Sequence, residues 1–428
     1  MGNRYGSTAD SAVLRGAILL LAPHASYRLA PFVRAARALQ LRPIVVVPVH
    51  GVVDSTVLVG QQGLLLDTSH PSAVLEAIRK LRRQYPILGV LGLDDAVLPL
   101  AVQVAQWLEL PHNTLSAVAT ASRKDLARRC QRERGVRTPT FVDVDLDAAD
   151  ALVSTWKVYP CVVKPVNMAA SQGVIRANCA IDLQAAIDRI RAIYRSSEKR
   201  PQRLIIEQYL EGDEIAVEAV LQQGSLQILT IFDKPDPLQG PYFEESIYVT
   251  PSVIPTAQLK QVEHLLSACC SAYGLYTGPV HAECRINAQG AWLLELAPRT
   301  IGGLCSRLFS HGTGQNLEQL VLALAIGDEI TWQRPVRASG VMMIPVRSGG
   351  ILRRVEGLSA ACKVPGIEEI LIDVREGYEL VPWPEGNTYP GFIFASAEQP
   401  SKVVKALRQA HALLQFVTSP LLVSGRVA

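Results

Sequence analysis

Two glutamates on either side of a predicted turn limit most strongly how this chain can fold. Apolar and polar residues alternate from position 280 to 285, which is typical of a half-buried β-strand. Residues 287–290 have the composition of a turn, and a second strand is predicted at 292–296. A hairpin of this length is expected to bring Glu283 and Glu295 opposite each other on neighbouring strands.

These two carboxylates predict a cation site at the hairpin. Two like charges in a half-closed site repel each other unless a cation lies between them, and an all-oxygen pair with room for phosphate oxygens suits Mg²⁺. Arg299 follows Glu295 beyond the strand end, where it can reach the same site. The alternative is that Glu283 and Glu295 are solvated on an exposed hairpin face, and the hairpin alone does not decide between the two.

Length and composition narrow the class of protein. A chain of 428 residues is too long for one ordinary core, so about two to four domains are expected. A formal net charge of +3 gives no reason to expect nucleic acid or an anionic membrane as a partner. The eight cysteines form no CxxC pair, which favours a reduced, cytoplasmic setting, and the apolar run 17–22 is far shorter than a membrane span. The oligomeric state stays open, with a homodimer as one option.

The first 112 residues predict an α/β domain, because strands alternate with helices as they do in a parallel sheet covered on both faces. Asp94 and Asp95 follow a strand end, where open α/β sheets place ligands, although acidic residues also favour a helix start. Both interpretations stay open, and a dinucleotide site lacks its GxGxxG signature. The predicted elements are strands at 17–22, 44–49 and 87–91 and helices at 27–38, 74–81 and 96–108.

Two lysines and a small polar loop predict a phosphate site. Lys124 lies in the first turn of a capped helix predicted for 122–133, the wrong end for a cation that only stabilises a helix. Lys164 lies inside an apolar strand at 160–166, where a lysine is unfavourable unless it contacts an anion. The loop 167–173 (NMAASQG) has small residues whose backbone N–H groups can approach phosphates. Taken alone, Lys124 also fits an ordinary surface lysine, and the loop is a weak signal.

A strand predicted at 204–210 runs into an acidic turn and a second strand at 215–221. Such a passage exposes backbone groups that can pair with the edge of a base. Glu207 can accept from an exocyclic amine, and Glu214 can bind both hydroxyls of a ribose. The alternative is an ordinary hairpin with an acidic turn.

Two further regions complete the chain. The stretch 231–251 is proline-rich and is predicted to be a long irregular loop, a kind of segment that is more often functional than idle. It holds Lys234, Glu244, Glu245 and Tyr248. The last part of the chain predicts a small α+β domain without a catalytic constellation, with strands at 340–346, 370–374 and 391–395 and a helix at 400–416.

The order of these features resembles the ATP-grasp superfamily of carboxylate–amine ligases. Within it the chain is most similar to L-amino-acid ligases, which form dipeptides, through the stretches FDKPDPLQGPYFEE, HAECR, LLELAPRTIGG and GVMMIPVRSGGILRRVEG. The resemblance implies the ATP-grasp architecture, a combination of α/β and α+β. Its parts are an N-terminal Rossmann-like (pre-ATP-grasp) domain at 1–112, a central ATP-grasp domain at 113–335 with a flap subdomain at about 139–210, and a C-terminal α+β lid domain at 336–428.

The resemblance also implies a role for each matching residue. Lys124 and Lys164 would contact the phosphates under a flap of Ser171, Gln172 and Gly173; Glu207 and the backbone of Tyr209 and Leu210 would hold adenine, and Glu214 the ribose. Glu283 and Glu295 would bind Mg²⁺, or Mn²⁺ in its place. Arg299 would hold the substrate carboxylate and later stabilise the charge on the reacting carbon, with Arg285 as a second catalytic residue; Glu245, Tyr248, Gly302 and Gly303 would face the amino acid.

One position departs from the superfamily pattern. Many members have Asn two residues after the second metal-binding glutamate, and here that residue is Ala297. The resemblance therefore implies that a second metal ion is held less completely, or by water and phosphate oxygens.

The resemblance implies ATP-dependent formation of an amide bond, in the first place a dipeptide bond, through an acyl phosphate with release of ADP and phosphate. Two alternatives stay open. One is a biotin-carboxylase-type enzyme that activates bicarbonate, which would need a separate biotin carrier. The other is a non-catalytic ATP-binding protein, which only Ala297 favours. The sequence identifies neither substrate.

Overall fold

The computed structural model of the chain describes residues 14–24, 26–49, 63–68, 70–197 and 201–421. The strands in these ranges are β1 (Gly16–Leu21), β2 (Leu41–Val49), β3 (Gly63–Asp67), β4 (Ile87–Gly92), β5 (Phe141–Asp145), β6 (Cys161–Pro165), β7 (Ile175–Ala177), β8 (Arg203–Gln208), β9 (Asp213–Gln222), β10 (Ser225–Asp233), β11 (Ile247–Thr250), β12 (Gly278–Asn287), β13 (Gly290–Ala297), β14 (Ala338–Met343), β15 (Gly350–Glu356), β16 (Ile367–Ile372), β17 (Glu379–Leu380), β18 (Gly391–Ala397) and β19 (Gln415–Ser419). The helices are α1 (Leu29–Ala38), α2 (Pro71–Gln84), α3 (Leu98–Trp107), α4 (Leu115–Ser122), α5 (Lys124–Glu133), α6 (Asp150–Thr155), α7 (Ala180–Arg195), α8 (Thr256–Tyr273), α9 (Ser306–Thr313), α10 (Leu317–Ala325), α11 (Leu358–Ala361) and α12 (Pro400–Ala412). Within the described ranges, every helix is too short or too polar to span a bilayer.

Contacts between residues divide the chain into two compact units, which are residues 1–115 with 316–331, and residues 116–315 with 332–428. The three domains predicted from the sequence are finer than this division, and their boundaries stay a prediction. Helix α10, which the prediction assigns to the central domain, lies in the first unit.

The first unit is built on a parallel sheet in the strand order β3-β2-β1-β4. The predicted parallel α/β arrangement is therefore confirmed. Strand β1 is buried along its whole length, as expected for a strand inside a parallel sheet. The core of this unit is formed by side chains of the strands and of α2 and α3, among them Leu19, Leu21, Ile44, Ile78 and Val104.

The two acidic residues that follow β4 have separate surroundings. Asp95 begins a short 3₁₀ turn that leads into α3, as the helix-start interpretation predicts. Asp94 accepts a hydrogen bond of 2.6 Å from Ser26 Oγ and lies 3.3 Å from Arg28 Nε. A substrate role for the two carboxylates stays a prediction.

The second unit contains a long antiparallel sheet in the order β13-β12-β9-β10-β11-β14-β18-β16. Helix α8 covers one face of it, because Val262, Leu266 and Cys269 recur at helical spacing and point into the core. Alternate residues of β9 and β12, such as Val217 and Ala282, fill the same core. The residues between them along each strand therefore face the other side of the sheet.

A smaller antiparallel sheet, β5-β8-β6-β7, lies with α6 and α7 in the range predicted as the flap subdomain. Its core contains Cys161, Val163, Ile187, Ile190 and Ile206. The C-terminal part adds β14, β18 and β16 to the long sheet, with α12 packed on them, and forms a further sheet β17-β15-β19.

The stretch 231–251 is more regular than the sequence analysis predicts. Strand β10 runs to Asp233 and β11 begins at Ile247, so only residues 234–246 are irregular. The prolines suggested a loop throughout the stretch. Pro235, Pro237 and Pro241 lie in its irregular part, however, and Pro251 comes just after β11 ends, so none of them interrupts a strand.

Candidate functional site

The predicted pairing of the two hairpin glutamates is confirmed, because Glu283 on β12 lies opposite Glu295 on β13. Ala282 and Cys284 belong to the core under α8, so Glu283 between them faces the other side of the sheet. The register skips Leu294 in a β-bulge, a feature that often re-aims side chains beside active sites.

Lys124 contacts one of these carboxylates. Its Nζ lies 3.1 Å from Glu295 Oε2 and donates a 2.8 Å hydrogen bond to the Met168 carbonyl in the loop 167–173. Lys124 lies in the first turn of α5, as predicted, and is the first residue of that helix. The predicted side-chain cap is wrong, because the preceding residue, Arg123, makes none, and the Lys124 N–H instead donates to the Val166 carbonyl at 3.2 Å.

Glu207 is buried between two cations. Its Oε2 accepts a 2.9 Å hydrogen bond from Arg128 Nε, and its Oε1 accepts from Lys164 Nζ. Burial alone would raise the pKa of the Glu207 carboxyl, but the charges of Arg128 and Lys164 outweigh it and bring that pKa to about 2. Burial lowers the pKa of Lys164, although Glu207 opposes the shift. Glu207 is thus a fixed counterion, and its contact with an adenine amine stays a prediction.

Arg128 is a member of this group that the sequence analysis missed. It also donates to Gln131 Oε1 at 3.0 Å and to the carbonyl of the bulge residue Leu294 at 3.1 Å. Its spacing of one helical turn from Lys124 puts both on one face of α5, and this is the signal that could have found it. Four predicted residues line one small cavity with Arg128, namely Lys124, Lys164, Glu207 and Glu295.

Lys234 is the centre of a second cluster. Its Nζ lies 2.6 Å from Glu245 Oε1, 2.8 Å from Glu214 Oε1 and 3.3 Å from Glu283 Oε1. It also lies 5.0 Å from the centre of the Tyr248 ring. The structure therefore brings the predicted ribose, amino-acid and metal residues together around one buried ammonium group.

The pKa values of this cluster follow from burial and from the shared cation. Burial raises the pKa of the Glu245 carboxyl to about 7, although the Lys234 ammonium opposes it. Burial acts in the same direction on Glu283, but Lys234 and His281 outweigh it and hold the pKa of Glu283 well below its ordinary value. Burial would lower the pKa of Lys234, but the three carboxylates raise it well above its ordinary value.

Arg285 lies with the predicted nucleotide residues. Its Nε donates to Glu214 Oε2 at 2.9 Å, its Nη1 donates to the Leu210 carbonyl at 2.6 Å, and its guanidinium lies 5.0 Å from the centre of the Tyr209 ring. The Tyr209 N–H donates to the Pro160 carbonyl at 3.0 Å. Two backbone groups implied as adenine contacts are thus already bonded within the protein. Assistance by Arg285 in catalysis stays a prediction.

The loop 167–173 has an unusual backbone. Ser171 has φ 54° and Gly173 has φ 70°, both in the left-handed region that favours glycine. A Cβ at Gly173 would lie 2.7 Å from Pro165 Cγ, so glycine is required for this approach. Gln172 donates through Nε2 to the Glu385 carbonyl at 2.8 Å. Contact of these three residues with phosphate stays a prediction.

Arg299 follows the end of β13, as predicted, and is 9% exposed. Its Nη1 donates to the Thr300 carbonyl at 3.1 Å. The adjoining turn contains Gly302, whose carbonyl accepts from the Cys305 N–H, and Gly303, which has φ 59°. A Cβ at Gly303 would lie 3.2 Å from Met343 Sδ. The turn thus packs against the C-terminal part of the chain, and its contact with substrate stays a prediction.

A buried histidine supports Glu283 from the same strand, and the sequence analysis gave it no role. His281 Nδ1 lies 2.7 Å from Glu218 Oε1, and His281 Nε2 lies 3.8 Å from Glu283 Oε1. Burial would lower the pKa of His281, but its hydrogen bond with Glu218 and the two carboxylate charges raise it to about 9. His281 is therefore a buried imidazolium at neutral pH.

The carboxylates present fit a divalent cation. Glu214, Glu245 and Glu283 offer oxygen atoms within 4.8 Å of one another, and Glu295 is the register partner of Glu283. An oxygen-only donor set suits Mg²⁺. Each predicted metal ligand already contacts a positive charge, because Lys234 lies beside Glu283 and Lys124 lies beside Glu295.

Comparison with known proteins matches two parts of the chain to families. Residues 157–307 match the ATP-grasp domain, and residues 342–419 match the L-amino acid ligase C-terminal domain 2. The crystal structure of an L-amino acid ligase from Bacillus licheniformis superposes with a TM-score of 0.81 at 24% identity, and the match covers 94% of this chain and 98% of that one. The predicted ATP-grasp architecture is confirmed.

Two curated relatives are similar in sequence. Uncharacterized protein y4rH of Sinorhizobium fredii is 22% identical over 424 residues, which is 98% of this chain and 87% of the relative. D-alanine--D-alanine ligase B of Pseudomonas syringae pv. tomato is 23% identical over 260 residues, which is 57% of this chain and 76% of the relative.

Proposed function

We propose that this chain, which belongs to the ATP-grasp family of carboxylate–amine ligases, joins the carboxyl group of one amino acid to the amine of another at the expense of ATP. One observation carries the proposal. Glu283 and Glu295 are paired across the β12–β13 hairpin, with Lys124 3.1 Å from Glu295, inside the region that matches the ATP-grasp domain.

The nucleotide would bind on the sheet face that carries these residues. Lys124 and Lys164 supply positive charge for the phosphates, and the loop 167–173 covers them. Glu207 fixes the position of the Lys164 ammonium group, because their ion pair is buried. Glu214 and the 209–210 segment lie beside Arg285, which supports them as the wall for ribose and adenine.

The reaction proceeds in two displacements. A carboxylate oxygen of the first amino acid attacks the γ-phosphorus of ATP, the bond to the β-phosphate oxygen breaks, and ADP leaves. The second amino acid's amine then attacks the acyl carbon, loses a proton and expels phosphate. Arg299 would stabilise the oxyanion of the second step. Mg²⁺, or Mn²⁺ in its place, held by Glu283 and Glu295, would offset phosphate charge.

The amino-acid substrates would contact the cluster around Lys234. Glu245 would accept from a substrate ammonium group beside Tyr248, whose ring centre lies 5.0 Å from Lys234 Nζ. Gly302 and Gly303 would leave room for a carboxylate at their backbone. The similarity to an L-amino acid ligase and to a D-alanine--D-alanine ligase supports amino acids as both substrates. The eight free cysteines support a reduced, cytoplasmic setting for the reaction.

The test is a panel assay. The protein is incubated with ATP, Mg²⁺ and pairs of amino acids, and released phosphate and the mass of any amide product are measured. We expect at least one pair to stimulate phosphate release with matching dipeptide. Glu295→Gln should lower the rate by about 10²–10³, the usual effect of removing one group that acts in the transition state. Glu263→Gln, on the exposed face of α8, is the matched control.

Three outcomes contradict parts of the proposal. If no pair stimulates phosphate release, amino acids are the wrong substrates. If bicarbonate and biotin stimulate ATP cleavage instead, the protein is a biotin-carboxylase-type enzyme. If neither the protein nor Glu295→Gln turns ATP over while both bind it, the role is ATP binding alone.

A further inference from the structure

The loop 167–173, here called the flap loop, is attached to a distant piece of the same unit. That piece is residues 383–385, here called the latch segment, which lies between β17 and β18. Their hydrogen bonds run from Trp383 Nε1 to the Ala170 carbonyl (2.9 Å), from Gln172 Nε2 to the Glu385 carbonyl (2.8 Å) and from the Gly173 N–H to the Pro384 carbonyl (2.9 Å).

These hydrogen bonds flank the residues of the flap loop whose backbone is least favourable. Ala170 and Ser171 both have φ 54°, a left-handed conformation that few residues other than glycine adopt. Such residues persist only where the surrounding structure holds them. The latch segment bonds to the carbonyl of Ala170 on one side and to the N–H of Gly173 on the other, so it holds this shape.

The latch segment is itself anchored at both ends. The Trp383 side chain is 4% exposed and packs with Val346, Leu352 and Leu380 of the C-terminal part. This anchoring means that the position of the flap loop follows the position of the C-terminal core.

The other end of the latch segment contacts the flap subdomain through charge. Both carboxylate oxygens of Glu385 accept from Arg189 on α7, at 2.5 Å from Nε and 2.8 Å from Nη2. Arg189 Nη1 also donates to the Tyr242 hydroxyl in the irregular stretch 234–246. A two-point arginine–carboxylate pair fixes direction as well as distance. The ion pair therefore ties the latch segment to the helix behind the flap loop.

We propose that Trp383 and Glu385 are positioning residues that hold the flap loop closed over the terminal phosphates of the nucleotide. The inference rests on the proposed function, because only that function assigns the flap loop to phosphate. Neither residue touches the reacting atoms. They act by keeping the flap loop closed, and the closed loop excludes water from the acyl phosphate.

The side reaction that an open flap loop permits is hydrolysis. Water attacks the acyl carbon, the bond to phosphate breaks, and the water oxygen stays in the regenerated carboxylate while its protons pass to phosphate and solvent. One ATP is then consumed without an amide. Every amide formed also releases one phosphate. The ratio of the excess phosphate (phosphate released minus amide formed) to amide formed therefore reports how well the latch segment holds.

The experiment measures this ratio in Trp383→Phe, which keeps an aromatic ring but removes the indole donor, and in Glu385→Gln, which removes the charge opposite Arg189. We expect the ratio to rise about 2- to 10-fold in each, the factor that one lost hydrogen bond corresponds to, with little change in KM for ATP. The matched controls are Trp156→Phe, whose indole donates to the Val158 carbonyl at 2.7 Å elsewhere in the flap subdomain, and Glu398→Gln, whose carboxylate pairs with Lys402 at 2.9 Å.

Rescue separates positioning from general damage. The double variant Arg189→Glu with Glu385→Arg restores the ion pair with reversed charges, and it should return the ratio toward that of the unchanged protein. If the ratio in both single variants equals that of the controls, the latch is refuted.

A second measurement does not depend on turnover. Hydrogen exchange of the amides at 168–175 is followed without nucleotide, and it should be faster in Trp383→Phe than in Trp156→Phe. If the unchanged protein makes no amide but this exchange difference is present, the proposed function fails and the structural latch stands. Equal exchange in the two variants overturns the latch, whatever the activity.

Discussion

At the scale of single residues, Lys234 shows best what local sequence can and cannot reveal. It was recognisable as a charged residue in a functional stretch, but its partners Glu214 and Glu283 lie on other strands of the sheet. Their proximity is fixed by strand order and not by spacing along the chain. The hairpin glutamates were predictable because only a short turn separates them, whereas the Lys234 cluster was not.

Removing the Lys234 charge should make its carboxylate cluster bind a divalent ion more tightly. In Lys234→Met the three carboxylates lose their common cation, and their mutual repulsion then favours a divalent ion. We expect Mn²⁺ to bind without nucleotide at least about tenfold more tightly than in the unchanged protein, since one close charge is worth several kcal/mol in a partly buried site. Electron paramagnetic resonance of free Mn²⁺ measures this. Lys260→Met, on the exposed face of α8, is the control, and equal affinity in both variants contradicts the prediction.

At the scale of elements, the pairing of β9 with β12 explains both success and failure of the sequence analysis. Alternation along β12 predicted which of its side chains face the site, since the strand period is local. It could not predict that His281 lies opposite Glu218, because that register depends on where β9 is placed in the sheet. The buried ion pair between these strands is a consequence of topology.

This pair makes the β9–β12 contact depend on pH. The pKa of His281 is raised to about 9 in the folded protein from an ordinary value of 6.5, so its contribution to stability is complete below about 6.5 and is lost as pH rises to 9. The shift corresponds to about 3 kcal/mol in the free energy of unfolding. Urea titrations in EDTA at pH 6.5 and 9.5 should show this loss in the unchanged protein and a much smaller one in Glu218→Gln. The same loss in both would exclude His281 as its source.

At the scale of the whole molecule, many helices and strands were predictable and their long-range contacts were not. The alternating strands and helices predicted for the first unit, and the strands predicted at 160–166 and 204–210, follow from patterns within short windows. The contact between residues 170–173 and 383–385 joins positions more than two hundred residues apart, and no local sequence pattern predicts it. The same limit hid β10, whose neighbours β9 and β11 define it as part of the long sheet.

Every residue assigned to the nucleotide lies in the second unit. We therefore expect ATP to slow hydrogen exchange in the second unit and not in the first. Binding at about 100 times Kd stabilises the bound region by about 2.7 kcal/mol and slows hydrogen exchange there by up to about a hundredfold. With Mg·ATP we therefore expect slower exchange at 161–177, 203–216 and 278–299, and unchanged exchange in β1 and β4. Glu295→Gln should reduce the slowing at 278–299 most. Equal slowing in β1 and β4 would show that the nucleotide contacts are not confined to the second unit, and the assignment of phosphate, base and metal residues would have to be revised together.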